Sequence, residues 1–500
     1  MNLAAPEAEL KGILDKLFFF SFVWTVGAAT TKAFWEPFGE FTRELFEEPC
    51  PQLGLPGANT PFDYYVDIKE GIFKEWKEIV PEFSYDPNVP YFSLMVPTTD
   101  TCRFSYVMTS LITVDKPVFI TGVTGTGKTV AVQNLLNSLV PLKEDGGMGL
   151  VPIFMNYSAQ TRSDVAQSSI ESKLEKKRKN LLGAPSGRKV VVFVDDINMP
   201  TVETYGAQPP VELLRQFLDY KGFYDRDKLF WKDVDSTMMF VGAAPPGGGR
   251  AVITPRFTRH FNVLCMPEAS DQSLTLIFQS ILGGFLGSKF EPEIKKMCSG
   301  AVSGTIEVYQ RISAELLPTP AKFHYTFNLR DISKVFQGML MIRPRKCTDV
   351  DTFAKLWVHE CQRIFYDRFI NFEDQEWFKK CISENVSRHL KVSLSEGDLF
   401  DKPIVFADFL KPDADPKFYE DVPDLNKLTG VLNDLLDNYN AEFPTQMNLV
   451  FFEDALTHAA RISRILRQPR GNAMLIGVGG SGKQSLTKIA AFVAGMPCRR

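Results

Sequence analysis

The sequence lacks an excess of basic residues, paired cysteines and a long apolar run, and each absence excludes a class of protein. Lys and Arg total 56 against 60 Asp and Glu, which gives a formal net charge of −4. No overall basic field therefore favours nucleic acid as a partner. None of the eight cysteines forms a CxxC pair, and only five histidines occur. The spacing indicates no zinc ribbon, and scattered thiols favour a reducing compartment.

The longest apolar run, Leu17–Ala29, reads LFFFSFVWTVGAA and is shorter than the roughly 20 residues that cross a bilayer. A signal-peptide core has this length, but the cleavage-site and charge signals around the run are poor. We therefore predict a buried core helix and no membrane partner. The chain has 500 residues, of which 44% are hydrophobic and 23% charged, as in ordinary globular proteins of two to four domains.

Short apolar runs alternate with helical or loop-like segments in the first half of the chain. The runs are Pro117–Thr121, Val151–Met155, Val190–Val194, Met238–Val241 and Phe261–Cys265. This alternation is typical of an α/β unit with a parallel sheet. From Ser273 to about Ser395 helix-like segments dominate, which predicts a helical subdomain. The charged segment Glu171–Lys179 is interpreted as a solvated helix face, with a binding patch as the alternative.

The segment from Gly122 to Thr129, GVTGTGKT, fits the pattern GxxxxGK[ST] and lies between an apolar strand and a helix. Glycines let backbone N–H groups curl around phosphate oxygens, and the helix directs its positive dipole end at them. Lysine then reaches the β- and γ-phosphates, and the threonine hydroxyl ligates Mg²⁺. The predicted nucleotide-binding residues are Gly122, Gly125, Thr126, Gly127, Lys128 and Thr129.

The segment PRGNAMLIGVGGSGKQSLTKIAAFVAG predicts a second strand, loop and helix. Its loop, GVGGSGKQ, begins at Gly477 and fits GxxxxGK, but Gln484 stands where Ser or Thr is expected. The glutamine amide oxygen is a weaker magnesium ligand, and Ser485 comes one residue late. The alternative is a degenerate loop that packs without nucleotide. The predicted binding residues are Gly477, Gly479, Gly480, Ser481, Gly482, Lys483, Gln484 and Ser485.

Two carboxylates follow the apolar run Val190–Val194 as Asp195 and Asp196. An acidic residue at the end of a buried strand suits Mg²⁺ coordination beside the phosphates, so we predict Thr129 and Asp195 as the magnesium residues. The alternative for two adjacent acids is a solvated loop, which the strand and the preceding phosphate loop disfavour.

The motifs occur in a characteristic order: the first loop, DDINMP, PPGGGR, FHYTFNLRD and GVGGSGKQSL. This order resembles the third-to-fourth AAA+ modules of a dynein heavy chain. VPTTDT before the first loop and LWVHECQRIFYDR in the helical part are also similar to that family, and FSFVWTVG resembles the end of its second module. The resemblance covers essentially all 500 residues, and the wording DDINMP looks axonemal rather than cytoplasmic.

The resemblance implies an AAA+ P-loop NTPase fold, with a parallel five-stranded sheet flanked by helices and a helical small subdomain. It also implies a division of the chain. Residues 1–48 are the helical end of a preceding module, 49–96 a linker, 97–268 the large subdomain, 269–400 the small subdomain, 401–444 a connector and 445–500 the start of the next module.

The resemblance also implies roles for single residues. AAA+ ATPases usually have Glu at the position of Asp196, and one methylene less misplaces the group that orients the attacking water. The usual polar sensor is missing, since Ala243–Pro245 stands at that strand end. Arg259, with Arg256 as second candidate, aligns with the arginine that reaches a neighbouring module's γ-phosphate, and the alternative is a surface arginine. Arg330 aligns with a second sensor arginine on the γ-phosphate.

We therefore expect a regulatory module that binds ATP or ADP with Mg²⁺ and hydrolyses ATP slowly or conditionally, within a microtubule motor of cilia and flagella. The implied partners are the other AAA+ modules and, through the parent protein, microtubules and dynein intermediate, light-intermediate and light chains, in cytoplasm, cytoskeleton and axoneme. One alternative is a structural ring spacer that holds a non-exchanging nucleotide. A P-loop kinase or GTPase and a nucleic-acid machine are disfavoured, because no guanine reader or DNA-binding motif is recognised.

Overall fold

The computed structural model describes residues 7–287, 289–412, 414 and 416–496. It divides the chain into two compact units, residues 1–82 with 97–270 and residues 83–96 with 271–500. The outer ends of the first and last predicted domains, residues 1–6 and 497–500, lie outside the described residues.

The first unit is built on a five-stranded parallel sheet. All strands of this unit, inside and outside that sheet, are β1 Tyr64–Asp67, β2 Ile72–Glu75, β3 Val118–Thr121, β4 Leu150–Asn156, β5 Glu175–Arg178, β6 Leu181–Gly183, β7 Lys189–Asp195, β8 Gly222–Tyr224, β9 Trp231–Asp235, β10 Thr237–Ala243 and β11 Asn262–Cys265. The parallel sheet has the order β11-β3-β10-β7-β4. Each predicted apolar run forms one of these strands, which confirms the α/β fold class.

Helices flank the sheet of the first unit. They are α1 Glu7–Val26, α2 Trp35–Glu47, α3 Thr99–Thr113, α4 Lys128–Ser138, α5 Ser163–Glu171, α6 Pro209–Tyr220 and the short α7 Pro255–Thr258. Two apolar clusters fill the unit, and the central strands contribute to both, because successive side chains of a strand point to opposite faces. In β7, Val191 and Phe193 belong to one cluster and Val190 and Val192 to the other.

The N-terminal apolar run lies in α1 and packs one face into the core of the first unit. Phe19, Val23 and Trp24 are at most 5% exposed, whereas Phe18 is 64% exposed on the other side. Residues Leu10–Ala29 are long and apolar enough to cross a membrane by length and composition alone. In this structure α1 buries its aromatic face, including Phe19 and Trp24, against the rest of the unit, as the predicted core helix does. Part of the segment 49–96 is also folded, since β1 and β2 form an antiparallel hairpin.

The charged segment Glu171–Lys179 does not form the predicted helix face. Helix α5 ends at Glu171, and Glu175–Arg178 forms the exposed strand β5, paired antiparallel with β6. Solvent exposure of the segment is as expected, but its secondary structure was wrongly predicted. Strand pairing with β6 overrides the local preference of Glu, Lys and Arg for helix.

The second unit is mainly helical, which confirms the predicted helical subdomain. Its helices are α8 Asp271–Gly287, α9 Pro292–Glu315, α10 Leu329–Met339, α11 Val350–Ile364, α12 Phe372–Asn385, α13 Glu396–Phe400, α14 Leu425–Glu442, α15 Glu453–Arg467 and α16 Lys483–Val493. Strands β12 Phe406–Ala407 and β13 Glu420–Asp421 form a short antiparallel pair.

The strand predicted before the second loop is not formed. Residues 473–476 have no assigned secondary structure, and Met474 and Ile476 are 87% and 85% exposed. A strand exists only through hydrogen bonds to a neighbouring strand, and none pairs with this run within the described part of the chain. The loop and its helix α16 are nevertheless present.

Candidate functional site

The first phosphate loop connects β3 to α4 at the carboxyl edge of the parallel sheet. Strand β3 is buried and ends at Thr121, and α4 begins at Lys128. Gly122 has φ +147, and a Cβ atom there would overlap the Met266 carbonyl oxygen. Any side chain at residue 122 would therefore displace the backbone, which gives a physical reason for glycine at the start of the loop.

The Lys128 ammonium lies inside the curl of this loop. Its Nζ donates to the carbonyl oxygens of Gly122 at 2.8 Å and Val123 at 2.7 Å, and to Thr126 Oγ1 at 3.4 Å. Lys128 is only 8% exposed. A buried ammonium inside a ring of backbone groups, at the first turn of a helix, is a site for an anion such as a phosphate.

The two residues predicted to serve magnesium lie in contact. The Thr129 hydroxyl donates to Asp195 Oδ2, and the other carboxylate oxygen, Oδ1, accepts from the Asp196 N–H at 3.0 Å. A Cβ on Gly242, in the neighbouring strand β10, would lie 2.8 Å from Asp195 Oδ1. Glycine at residue 242 thus leaves the space that the Asp195 carboxylate occupies.

Asp196 sits in a turn that is fixed against the end of β10. Its φ of +51° is uncommon for a residue with a side chain, and such conformations cluster at functional sites. The next residue, Ile197, donates its N–H to the Gly242 carbonyl at 3.0 Å. At the strand end itself Ala243 and Ala244 are buried and have no polar side-chain group, as the sequence indicates.

Two asparagines at this edge were missed by the sequence analysis. Asn198 is 2% exposed, and its Nδ2 donates to the Ala244 carbonyl at 2.8 Å, which ties the acidic turn to the strand end. Asn156 ends β4 directly opposite Asp195 in the parallel register. The position of Asn198 within DDINMP was a usable signal, but Asn156 becomes a neighbour only through strand pairing.

Arg259 follows the short helix α7 and lies on the surface of the first unit. Its Nη2 pairs with Asp219 Oδ1 at 3.1 Å while 63% of the arginine side chain stays exposed. Arg256, the second candidate, is also exposed. Both arginines are thus exposed, and an ion pair in which the arginine is mostly solvated contributes little stability.

The second loop repeats the lysine geometry of the first. Lys483 Nζ donates to the Gly477 and Val478 carbonyls, both at 2.6 Å, and to Ser481 Oγ at 3.1 Å. Its remaining predicted residues, including Gln484, are largely exposed, and Ser485 is half-buried. The backbone therefore forms a phosphate-loop curl here as well.

Arg330 belongs to the second unit, in the first turn of α10. Asn328 caps this helix by accepting from the Arg330 N–H at 2.9 Å, and Asp331 completes a capping box. The Arg330 side chain is exposed and has no ion pair among the described residues.

The residues of the first loop fit a magnesium nucleotide. A glycine-lined backbone curl and a lysine suit the phosphates, and the hydroxyl and carboxylate oxygens of Thr129 and Asp195 are hard ligands of the kind that Mg²⁺ prefers. Around the second loop the described residues supply the lysine and curl but no matching carboxylate contact.

Four protein-family models match the chain. The P-loop containing dynein motor region matches residues 83–269, and the P-loop containing dynein motor region D4 matches 447–500. The AAA+ lid domain matches residues 301–396, and the dynein heavy chain AAA lid domain matches 2–78. The two P-loop models cover both phosphate loops, and the D4 match covers the predicted start of a fourth module.

Similar proteins are axonemal dynein heavy chains. Human dynein axonemal heavy chain 6 is 46% identical over 500 residues, which are 100% of this chain and 12% of that protein. Mouse dynein axonemal heavy chain 1 is 40% identical over 98% of this chain and 12% of its own length. Mouse dynein axonemal heavy chain 12 is 38% identical over 99% of this chain and 17% of its own length. The chain thus spans about an eighth to a sixth of these relatives, and it belongs to the dynein heavy chain family.

Proposed function

We propose that residues 97–400 form a regulatory AAA+ module that binds Mg·ATP or Mg·ADP and hydrolyses ATP slowly or conditionally. The observation that carries this proposal is the contact of Thr129 with Asp195 beside the loop that encloses Lys128. In a P-loop ATPase, a lysine such as Lys128 binds the phosphates, while a hydroxyl and a carboxylate such as those of Thr129 and Asp195 hold the magnesium ion.

Slow hydrolysis is proposed from the groups beside that site. Asp196 is one methylene shorter than glutamate, and a misplacement of about 1 Å can cost about 10²-fold in rate. The end of β10 presents only Ala243 and Ala244, so no side chain there polarises the attacking water. From the resemblance alone, Arg330 and Arg259 are proposed as sensor arginines for ATP, Arg259 for the ATP of a neighbouring module.

For the whole protein, we propose a part in the ATP-driven microtubule motor that moves cilia and flagella. The support is the similarity to axonemal dynein heavy chains across the full length of this chain. The proposed partners are the other AAA+ modules, microtubules and the intermediate, light-intermediate and light chains. The proposed locations are the cytoplasm, the cytoskeleton and the axoneme of the cilium or flagellum.

The second candidate function is a structural spacer that holds a non-exchanging nucleotide. The observation that favours it is the set of groups that weaken catalysis, Asp196 and the apolar strand end. Both candidates bind nucleotide, but only the regulatory module exchanges it during the motor cycle.

The test compares Lys128→Ala, Lys483→Ala and the surface control Lys116→Ala in the full-length protein. Lys128→Ala removes a charge-assisted phosphate contact worth about 1.5–3 kcal/mol, so we expect at least a tenfold loss of nucleotide affinity at the first loop. Equal affinity in Lys128→Ala and Lys116→Ala would refute nucleotide binding there. Exchange of bound labelled nucleotide on the timescale of motor turnover supports regulation, and retention over many turnovers supports the spacer.

A further inference from the structure

Strand β5 lies at an open edge of its sheet and carries mainly positive charge. The four strands of that sheet have the order β5-β6-β9-β8, so β5 pairs only with β6 among the described strands. All four side chains of β5 are exposed. From Glu171 to Lys179 the chain has five cations and two carboxylates, although the net charge of the whole chain is −4. The segment is thus a locally positive surface on an acidic protein.

The two carboxylates of the segment already have partners in the sheet. Glu171 Oε1 lies 2.8 Å from the Lys232 ammonium of β9. Glu175 Oε2 accepts from Lys177 Nζ at 3.1 Å. The stem of Lys177 lies over Gly183 of β6, where a Cβ atom would come within 3.3 Å of Lys177 Cγ. The charge and the stem of Lys177 are therefore used within the fold.

The other four cations form a surface that we call the basic edge. It consists of Lys173, Lys176, Arg178 and Lys179, which are all exposed and form no ion pair within the part of the chain that the structure describes. Residues two apart in a strand are separated by about 7 Å, which is less than the screening length of about 8 Å at physiological ionic strength. Like charges at this spacing repel one another, so the basic edge lowers the stability of the segment that carries it.

Protection against unwanted strand pairing does not account for this row of cations. Charged residues on an edge strand do prevent the pairing of one sheet with another. In β5, however, a β-bulge between Lys176 and Arg178 already breaks the register with β6, and a bulge by itself makes an edge a poor template for a further strand. The bulge also indicates that a partner is held by the side-chain charges and not by extension of the sheet.

The composition around the basic edge favours a polypeptide rich in Asp and Glu over a nucleic acid or a membrane. Single-stranded nucleic acids stack their bases on aromatic side chains, and residues 171–183 contain no aromatic residue. Membrane-surface binding combines charge with an apolar group that enters the lipid, but Leu174 and Leu182 pack against the core of the unit. An extended peptide places a side chain about every 3.3 Å, so its carboxylates can follow the row of cations.

We propose that the basic edge binds an extended acidic segment of a partner polypeptide, whose Asp and Glu carboxylates pair with Lys173, Lys176, Arg178 and Lys179. The inference is independent of nucleotide binding at either phosphate loop. Because the pairs form at an exposed surface, salt screens them, and the complex is strongest at low ionic strength.

The experiment titrates a fluorescent glutamate decapeptide into the full-length protein at low and at physiological salt. The basic-edge variant combines Lys176→Gln, Arg178→Gln and Lys179→Gln. The matched control removes three exposed lysines of the same unit and combines Lys116→Gln, Lys143→Gln and Lys228→Gln. None of these six side chains forms an ion pair among the described residues, so both variants lose the same charge without losing such a contact of the fold.

We expect the basic-edge variant to bind the peptide about tenfold more weakly at low salt, because each exposed ion pair contributes about two- to threefold. The control should change the affinity by less than about twofold. Lysine acetylation read by mass spectrometry should show that the bound peptide protects Lys173, Lys176 and Lys179 but not Lys143. In the native assembled protein, a zero-length carbodiimide should join the same three lysines, and not Lys143, to an Asp- or Glu-rich segment of a partner polypeptide.

Four results would overturn the proposal. The first is equal affinity of the basic-edge and control variants for the peptide, and the second is a saturating peptide that leaves the three lysines unprotected. The third is a basic-edge variant that binds like the parent but self-associates in light scattering, which would show that the cations only protect the edge. The fourth is a larger effect of the substitutions on a thymidylate decamer, or on vesicles of equimolar phosphatidylcholine and phosphatidylserine, than on the peptide. The partner would then be a nucleic acid or a membrane.

Discussion

The buried ion pair between Glu360 of α11 and Arg464 of α15 gives a sharp stability prediction for the second unit. Glu360 is 0% and Arg464 5% exposed. Arg464 Nη2 donates to Glu360 Oε2, its Nε donates to Oε1 at 3.2 Å, and the Tyr419 hydroxyl donates to the same Oε1 at 2.9 Å. The carboxylate thus exchanges water for three donors from two other parts of the chain.

Replacement of Arg464 by alanine removes two of those donors and leaves a buried carboxylate with the Tyr419 hydroxyl as its remaining donor. Breaking a buried pair by removing one partner costs about 3–5 kcal/mol, because the other charge stays buried without compensation. We therefore expect Arg464→Ala to lower the opening free energy of α11 and α15 by about that amount. Glu360→Leu combined with Arg464→Met should restore most of the loss, since an apolar pair of similar volume needs no partner.

Hydrogen exchange of the amides in α11 and α15 measures this opening free energy locally, without requiring the whole chain to unfold in one step. Arg388→Ala is the matched control, because the Arg388 side chain is 62% exposed in its pair with Glu307, and exposed pairs contribute about 0–1 kcal/mol. A loss below about 1 kcal/mol in Arg464→Ala would refute the reasoning. A double variant as unstable as the single one would show that lost packing, rather than the unpaired charge, dominates.

Three further predictions concern the first site and the pH response. Asp196→Glu should raise single-turnover hydrolysis of labelled ATP by up to about 10²-fold, and an unchanged rate would show that base length is not limiting. Gly242→Ala should weaken Mg·ATP binding by displacing the Asp195 carboxylate, while binding of nucleotide without magnesium, measured in chelator, should change little. Burial, with nearby arginines, holds the pKa of His359 well below its usual 6.5, so the unfolded state binds the extra proton. Stability of the second unit should fall as pH drops below 6.5, by at most about 1.4 kcal/mol per pH unit, and denaturant unfolding of His359→Asn should show a shallower dependence.

The sequence alone predicts the elements whose signal is local. The phosphate loops are encoded by glycine spacing and a following lysine, and both lysines make the same contacts with their loop carbonyls. The strands of the parallel sheet are apolar runs of β-branched and aromatic residues, and β7 is buried from Val190 to Val194. The position of Asp195 follows from this pattern, because it comes directly after the run.

The tertiary structure decided whatever depends on partners distant in sequence. The charged segment Glu175–Arg178 is a strand because it pairs with β6, which in turn pairs with β9, a strand far along the chain. Residues 473–476 lack strand structure because none of the described strands pairs with them. Asn198 and Gly242 gain their roles only when β7 and β10 lie side by side. The pairs Arg368–Asp331 and Arg464–Glu360 join residues on separate helical elements. Composition and periodicity fix which face of an element is apolar, but hydrogen bonds between distant residues are determined only when the chain is packed.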